Sequence, residues 1–266
     1  MEITTDLIAM ILESVYDASD EIMKVYKTNF VSEQKADHSP VTKADKISSE
    51  IICRKLENTG VLIISEEEKK PDFSIRSTAE FIWLVDPLDG TKEFIRKNGE
   101  FCINIGLVQN GEPVFGLIAS PVKKEIIFGG IQTGVFRIPY HEKKIMDPTF
   151  KVNRLREKKS RGLIFSRSHF TPEVSTLISK LEERYGALTL IKKGSALKFF
   201  DLVSGTVDFY PRTAPTMEWD IAAGDAIYRA VGGEVLDFST FETLKYNKPI
   251  LVNPNFIAKP ASLRIN

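Results

Sequence analysis

The sequence predicts a layered α+β / α/β protein, an α+β lobe followed by an α/β lobe, and three observations carry that expectation. A long helical stripe opens the chain, a strand-rich middle follows, and beyond a charged stretch the texture turns to short alternating helices and strands. The 266 residues and 42% hydrophobic content suffice for one large core or two packed lobes.

Across residues 6–27, Leu7, Ile8, Ile11, Leu12, Val15, Ile22 and Val25 recur at helical spacing with one buried face. Residues 32–39 are polar and expected to be loose, closed by Pro40. A second helix is expected from Thr42, burying Ile47, Ile51, Ile52 and Leu56. Residues 61–64 and 81–85 read as apolar strands; the first ends in Glu66-Glu67-Glu68, the second in Asp86-Pro87-Leu88-Asp89-Gly90-Thr91. A short helix is expected at 92–95. Strands at 101–108 and 113–119 flank Asn110-Gly111, a strong hairpin signal, and strands at 126–128 and 134–138 extend this region. The stretch 140–159 lacks a period, so the lobes are expected to divide as 1–145 and 146–266. Beyond it the expectations are strands at 162–166, 188–191, 207–210, 234–236 and 250–252. Helices are expected at 171–185, 195–204 and 219–231, the last ended by Gly232-Gly233.

Lys plus Arg equals Asp plus Glu at 36 each, a balance that argues against a nucleic-acid polymer as partner while leaving room for a small anion in a local basic pocket. Cys53 and Cys102 have no CxxC spacing and read as buried apolar residues in a reducing compartment. No apolar run suggests a membrane span, and the acidic start lacks the basic opening of a secretory signal; a cytoplasmic protein without an obvious membrane anchor is expected.

The most informative segment is Trp83-Leu84-Val85-Asp86-Pro87-Leu88-Asp89-Gly90-Thr91. A strand ending in Asp-x-x-Asp can present both carboxylates and the intervening Leu88 carbonyl to one hard cation. Gly90-Thr91 then opens a helix whose unpaired amides can seat a phosphate. The same residues could merely shape a turn. Glu66 after its strand, Asp220 at a helix start and Asp45 three residues after Thr42 extend the acidic set. Each has a plainer reading, as a solvated loop, a helix-dipole partner and a variant capping box respectively.

Three motifs, Ser65-Glu66-Glu67, Trp83 to Thr91, and Trp219-Asp220-Ile221-Ala222-Ala223-Gly224, stand in an order that resembles the inositol monophosphatase superfamily. The family usually has glycine where Ser65 stands. Within it the chain is similar to the bisphosphate nucleotidase branch. That likeness rests on Lys92-Glu93-Phe94-Ile95-Arg96-Lys97-Asn98-Gly99-Glu100-Phe101, Ser166-Arg167-Ser168-His169, Lys193-Gly194-Ser195-Ala196-Leu197-Lys198-Phe199 and Tyr210-Pro211-Arg212. The resemblance implies an αβαβα sandwich of the sugar phosphatase fold. It implies two or three Mg²⁺ ions, with Mn²⁺ as substitute, on Glu66, Asp86, Asp89, Asp220 and the Leu88 carbonyl. Asp45 and Thr91 would orient or deprotonate the attacking water, and Gly90 and Thr91 would hold the scissile phosphate. His169, Ser195, Lys198 and Arg212 would line the nucleotide side, with Asp220 at its edge.

The expected reaction is in-line attack of water on the 3′(2′)-phosphate of adenosine 3′(2′),5′-bisphosphate, its proton passing through Thr91 toward Asp45. The two isomers and 3′-phosphoadenylyl sulfate stay open as substrates, as does monomer or homodimer; lithium inhibition is a family-level expectation. The competing readings are an inositol or sugar-phosphate phosphatase and a silent metal- or phosphate-binding protein. Retention of Asp45 and Thr91 argues against the silent one.

Overall fold

The computed structural model describes residues 1–34, 40–153, 155, 160–167 and 170–265. Helix α1 (Thr5–Tyr26) is capped by the Thr4 hydroxyl, which accepts from the Leu7 amide. It buries the stripe of Ile8, Ile11, Leu12, Val15 and Ile22. Strands β1 (Ser32–Gln34) and β2 (Pro40–Thr42) pair antiparallel, so the first three residues of the stretch expected to be loose form a strand; residues 35–39 lie outside the description. Helix α2 (Lys43–Glu57) follows, with Ile52 and Leu56 fully buried but Ile47 and Ile51 only partly.

The first sheet is built from β3 (Leu62–Ser65), β4 (Phe81–Asp89), β5 (Cys102–Gln109), β6 (Glu112–Ser120), β7 (Glu125–Gly130) and β8 (Gly134–Pro139), hydrogen-bonded in that order. Only β3 and β4 are parallel, joined through α3 (Phe73–Arg76), while α4 (Thr91–Ile95) connects β4 to β5. Asn110 and Gly111 both adopt positive φ at the β5–β6 hairpin, as a type I′ turn requires.

Alternation along the strands splits the core. Trp83, Val85, Ile103, Ile105, Leu107, Phe115 and Leu117 face α1 and α2, and Ile82, Leu84, Ile118 and Ile127 face the opposite way. That second face is covered by α6 (Lys198–Val203) and α7 (Glu218–Ala230). Gly106 and Gly116 are cross-strand partners on this face. A Cβ on Gly116 would sit 2.0 Å from the Ala223 carbonyl oxygen, and one on Gly106 3.0 Å from the Ala223 amide nitrogen. The glycine pair therefore lets the α7 backbone lie directly on the sheet, next to the carboxyl end of β4.

Beyond α6 and α7 lies a second sheet. Strands β9 (Arg161–Ser166) and β10 (Leu188–Lys193) are parallel, and β11 (Tyr210–Arg212), β12 (Gly233–Asp237) and β13 (Phe256–Pro260) are antiparallel with β13 central. A parallel bridge between Leu163 and Phe209 joins the two pieces. Helix α5 (Pro172–Tyr185) covers the outer face through Val174, Leu177, Ile178 and Leu181. The layers run α1/α2, first sheet, α6/α7, second sheet, α5, which is the αβαβα order expected. One buried cluster draws on both halves of the chain, with Ile82 and Leu84 against Phe199, Ala222 and Ala223.

Three elements differ from expectation. The strand placed at 207–210 begins only at Tyr210. Residues 250–252 form no named strand: Ile250 is 73% exposed, and Val252 makes a single bridge to Met217. The central strand is instead Phe256–Pro260, an apolar run just past Asn253-Pro254-Asn255. Helix α6 is three residues shorter at its start than expected, because Ser195 takes a left-handed conformation at φ 49° and leaves 195–197 outside the helix. No helix among the described residues is long and apolar enough to cross a membrane.

Candidate active site

Strand β3 ends alongside Val85 of β4, and the residues just beyond that pair carry acids. Ser65 pairs with Val85, which puts Glu66 and Asp86 beyond the same edge. Strand β4 continues through Pro87 to Asp89 with a register break between Asp86 and Asp89, rather than stopping at Val85. Two hydrogen bonds hold the segment across this break. Ser48 donates to the Pro87 carbonyl at 2.7 Å, and the Leu88 amide donates to Asp86 Oδ1 at 3.0 Å. Helix α7 brings Asp220 from the opposite side. One Asp220 oxygen caps the helix by accepting from the Met217 amide at 2.8 Å.

Carboxylate oxygens of Glu66, Asp86 and Asp220 lie within 4.8 Å of one another. Burial pushes Asp86 well above the usual carboxylate range, and repulsion from Glu66, Asp89 and Asp220 adds to it. Asp220 is raised well above that range by burial, then by Asp89 and Glu66, with Arg212 opposing. A dense, partly buried, all-oxygen donor set of this kind fits a hard divalent cation, whose charge offsets the repulsion; zinc favours His and Cys ligands instead.

Asp89 stands outside that triangle. Its Oδ2 accepts from the Ala196 amide at 2.5 Å and Asn104 Nδ2 at 3.1 Å, with the Cys102 thiol at 3.7 Å. Burial raises its pKa, while Lys198, the Ala196 amide and Asn104 pull it back. Asn104 was not anticipated, yet it is an amide set between Ile103 and Ile105 in the apolar run of β5, fully buried on the α7 face.

Asp45 divides its two oxygens between the helix cap and Thr91. Its Oδ2 accepts from the Thr42 amide at 2.8 Å and the Thr42 hydroxyl at 2.6 Å, completing a capping box for α2. Its Oδ1 accepts from the Thr91 hydroxyl at 2.9 Å. Asp45 is 1% exposed and raised by burial, while Thr91 stands in front of it at the cleft wall. Gly90 has φ 98°, and a Cβ there would lie 2.9 Å from the Glu100 carbonyl oxygen.

Helix α6 and strand β11 supply cations to the same cleft. Lys198 is 3% exposed and lies 5.0 Å from the Tyr210 ring centre; its ammonium donates to the carbonyls of Ser195 and Lys193. Burial lowers its pKa to about 8, against the pull of Asp89. Arg212 donates to the Ala214 carbonyl at 3.0 Å and the Pro215 carbonyl at 3.2 Å, which aims the guanidinium. Ser195, Lys198 and Arg212 line one cleft with Glu66, Asp86, Leu88, Asp89, Gly90, Thr91 and Asp220; Lys92, Ser166, Tyr210 and Thr216 join the wall. Expected residue His169 lies outside the described residues. Ser65, where the family pattern has glycine, is buried with its hydroxyl 3.1 Å from that of Ser49.

The model of the inositol monophosphatase family matches residues 4–262. The 3′(2′),5′-bisphosphate nucleotidase CysQ of Salmonella typhimurium is 35% identical over 257 residues, covering 94% of this chain and 98% of that protein. That of Escherichia coli K12 is 34% identical over 244 residues, covering 90% and 94%. The crystal structure of CysQ from Bacteroides thetaiotaomicron superposes with a TM-score of 0.85 at 38% identity, covering 96% of this chain and 97% of that one. On the family match, the chain belongs to the inositol monophosphatase family.

Proposed function

We propose that this chain is a Mg²⁺-dependent phosphomonoesterase that hydrolyses the 3′(2′)-phosphate of adenosine 3′(2′),5′-bisphosphate to adenosine 5′-monophosphate and phosphate. The observation that carries the reading is one cleft with the acidic triangle of Glu66, Asp86 and Asp220 on one wall and Lys198 and Arg212 on the other. CysQ relatives at 34–35% identity over most of the chain support the substrate class.

In this reading Glu66, Asp86, Asp89, Asp220 and the Leu88 carbonyl hold the cations, with Mn²⁺ able to replace Mg²⁺. Bound there, divalent ions supply a lowered water pKa and charge neutralisation at the phosphoryl and leaving oxygens. Residues 1–145 carry the phosphate end; 146–266 carry the nucleotide end and the last ligand, Asp220.

Thr91 donates its hydroxyl proton to Asp45, so its oxygen is turned to accept a hydrogen bond from a water aimed at phosphorus. As that water attacks, its proton moves to the Thr91 oxygen while the Thr91 proton moves to Asp45. Burial raises the Asp45 pKa and makes it a better acceptor. The amides of Gly90 and Thr91 hold the scissile phosphate. Across the cleft, Arg212 and Lys198 make charge-assisted bonds to the spectator phosphate, and Ser195 and His169 complete the nucleotide side.

Chromatography of the products tests the reading directly. Adenosine 3′,5′-bisphosphate incubated with the protein and Mg²⁺ yields adenosine 5′-monophosphate. Adenosine 3′-monophosphate as product would reverse the substrate in the cleft, and unchanged substrate would exclude the reading.

A further inference from the structure

Ser195 is a non-glycine residue in the left-handed region, a conformation that the surrounding structure must enforce. The two amides that flank it are both held by carboxylates, one at the end of β4 and one in the segment joining β4 to β5. The Ala196 amide donates to Asp89 Oδ2 at 2.5 Å, and the Gly194 amide donates to Glu100 Oε2 at 2.7 Å. Glu100 is itself oriented. Arg167, at the end of β9, grips it bidentately through Nε at 2.8 Å and Nη2 at 2.7 Å. The Arg167 amide donates to the Lys193 carbonyl at 3.3 Å. The fit around this clasp is close. A Cβ on Gly194 would lie 2.7 Å from Glu93 Cγ and 3.0 Å from the Glu100 carbonyl oxygen, and one on Gly90 would lie 3.3 Å from Ser195 Cβ. Ser195 is thereby pressed against the proposed phosphate seat, and its carbonyl receives the Lys198 ammonium.

We infer that Glu100 is a positioning residue for the nucleotide side of the cleft: its carboxylate fixes Gly194 and Arg167 and so holds Ser195 and Lys198 where the substrate is read. The inference rests on the proposed function. Glu100 touches none of the acidic triangle, so it governs substrate affinity and not turnover. A Gln at this position keeps one acceptor oxygen but cannot take both Arg167 bonds and the Gly194 amide. Arg167→Ala leaves the Gly194 bond in place.

The test compares wild type, Glu100→Gln and Arg167→Ala in steady-state kinetics with adenosine 3′,5′-bisphosphate, and in amide hydrogen exchange of residues 193–197 without substrate. Glu100→Gln raises KM about tenfold with kcat within about twofold, as expected for loss of a charged hydrogen bond. It also speeds exchange at 194–196, and Arg167→Ala does less of both. Unchanged KM and exchange in Glu100→Gln would overturn the inference, as would a fall in kcat alone. If the wild type turned over inositol 1-phosphate and not the bisphosphate, the proposed function would fall. Exchange and the KM split on that ester would still decide the role of Glu100.

Discussion

Asp45 and Thr91 stand 46 positions apart and meet at 2.9 Å, with the Thr91 hydroxyl donating to one carboxylate oxygen while Thr42 occupies the other. A helix cap and a candidate proton acceptor are therefore the same side chain. Thr91→Val should lower kcat by about a hundredfold with little change in KM, the ordinary size of a general-base contribution. Asp45→Asn should lower kcat similarly and also cost about 1 kcal/mol of stability through the weakened cap. Steady-state kinetics and thermal unfolding check both; loss of stability without loss of kcat would leave Asp45 as a cap only.

The acidic cluster predicts an unusual pH dependence for the metal-free protein. Asp86 and Asp220 have folded-state pKa values raised above the ordinary carboxylate value. A group raised on folding contributes stability that is present below its unfolded pKa and lost as pH rises through the folded pKa. In EDTA, the contribution of these two groups should therefore fall as pH is raised from about 4 upward. Added Mg²⁺ should raise Tm most at the high-pH end, by preferential binding to the folded state. Calorimetric melts across pH with and without Mg²⁺ measure this, and a Tm insensitive to Mg²⁺ at every pH would contradict the cluster's role.

Arg212 is aimed by two backbone carbonyls, and a side chain so held reads a phosphate at low entropic cost. Arg212→Ala should raise KM for adenosine 3′,5′-bisphosphate by roughly tenfold or more, as loss of a charged contact does. KM for inositol 1-phosphate, which has no second phosphate, should change far less. Equal effects on both substrates would remove the spectator-phosphate role.

Gly116→Ala tests how Asp220 reaches the site. The added methyl would fall 2.0 Å from the backbone of α7, where no rotamer change can relieve it. Overpacking of this kind should cost about 3 kcal/mol or more. A lowered Tm and weakened metal binding by calorimetry are expected, because α7 carries Asp220; a Tm within about a degree of wild type would show that the helix–sheet contact is slack.

Much of this architecture was legible because periodicity is local. The stripe of α1, the Asn110-Gly111 hairpin and the apolar strand before Asp86 each declare themselves within a few residues, and the acids at the strand ends follow from them. What escaped depends on contacts between distant segments. The Ile250-Leu251-Val252 triplet matches a strand in composition, yet only Leu251 is buried, and the central position went to Phe256–Pro260. The left-handed turn at Ser195 is imposed by Glu100 and Asp89, about a hundred positions away, and shortens α6 where local pattern continues a helix. The cap at Asp45 is legible locally, whereas its pairing with Thr91 is implied only by the family resemblance and is made by the fold.

The most direct measurement is phosphate release from the purified protein with adenosine 3′,5′-bisphosphate, adenosine 5′-monophosphate and inositol 1-phosphate, each in Mg²⁺ and in EDTA. The account predicts turnover that EDTA abolishes and that strongly favours the bisphosphate. Mg²⁺-dependent turnover favouring inositol 1-phosphate, or release from the bisphosphate undiminished by EDTA, would contradict it.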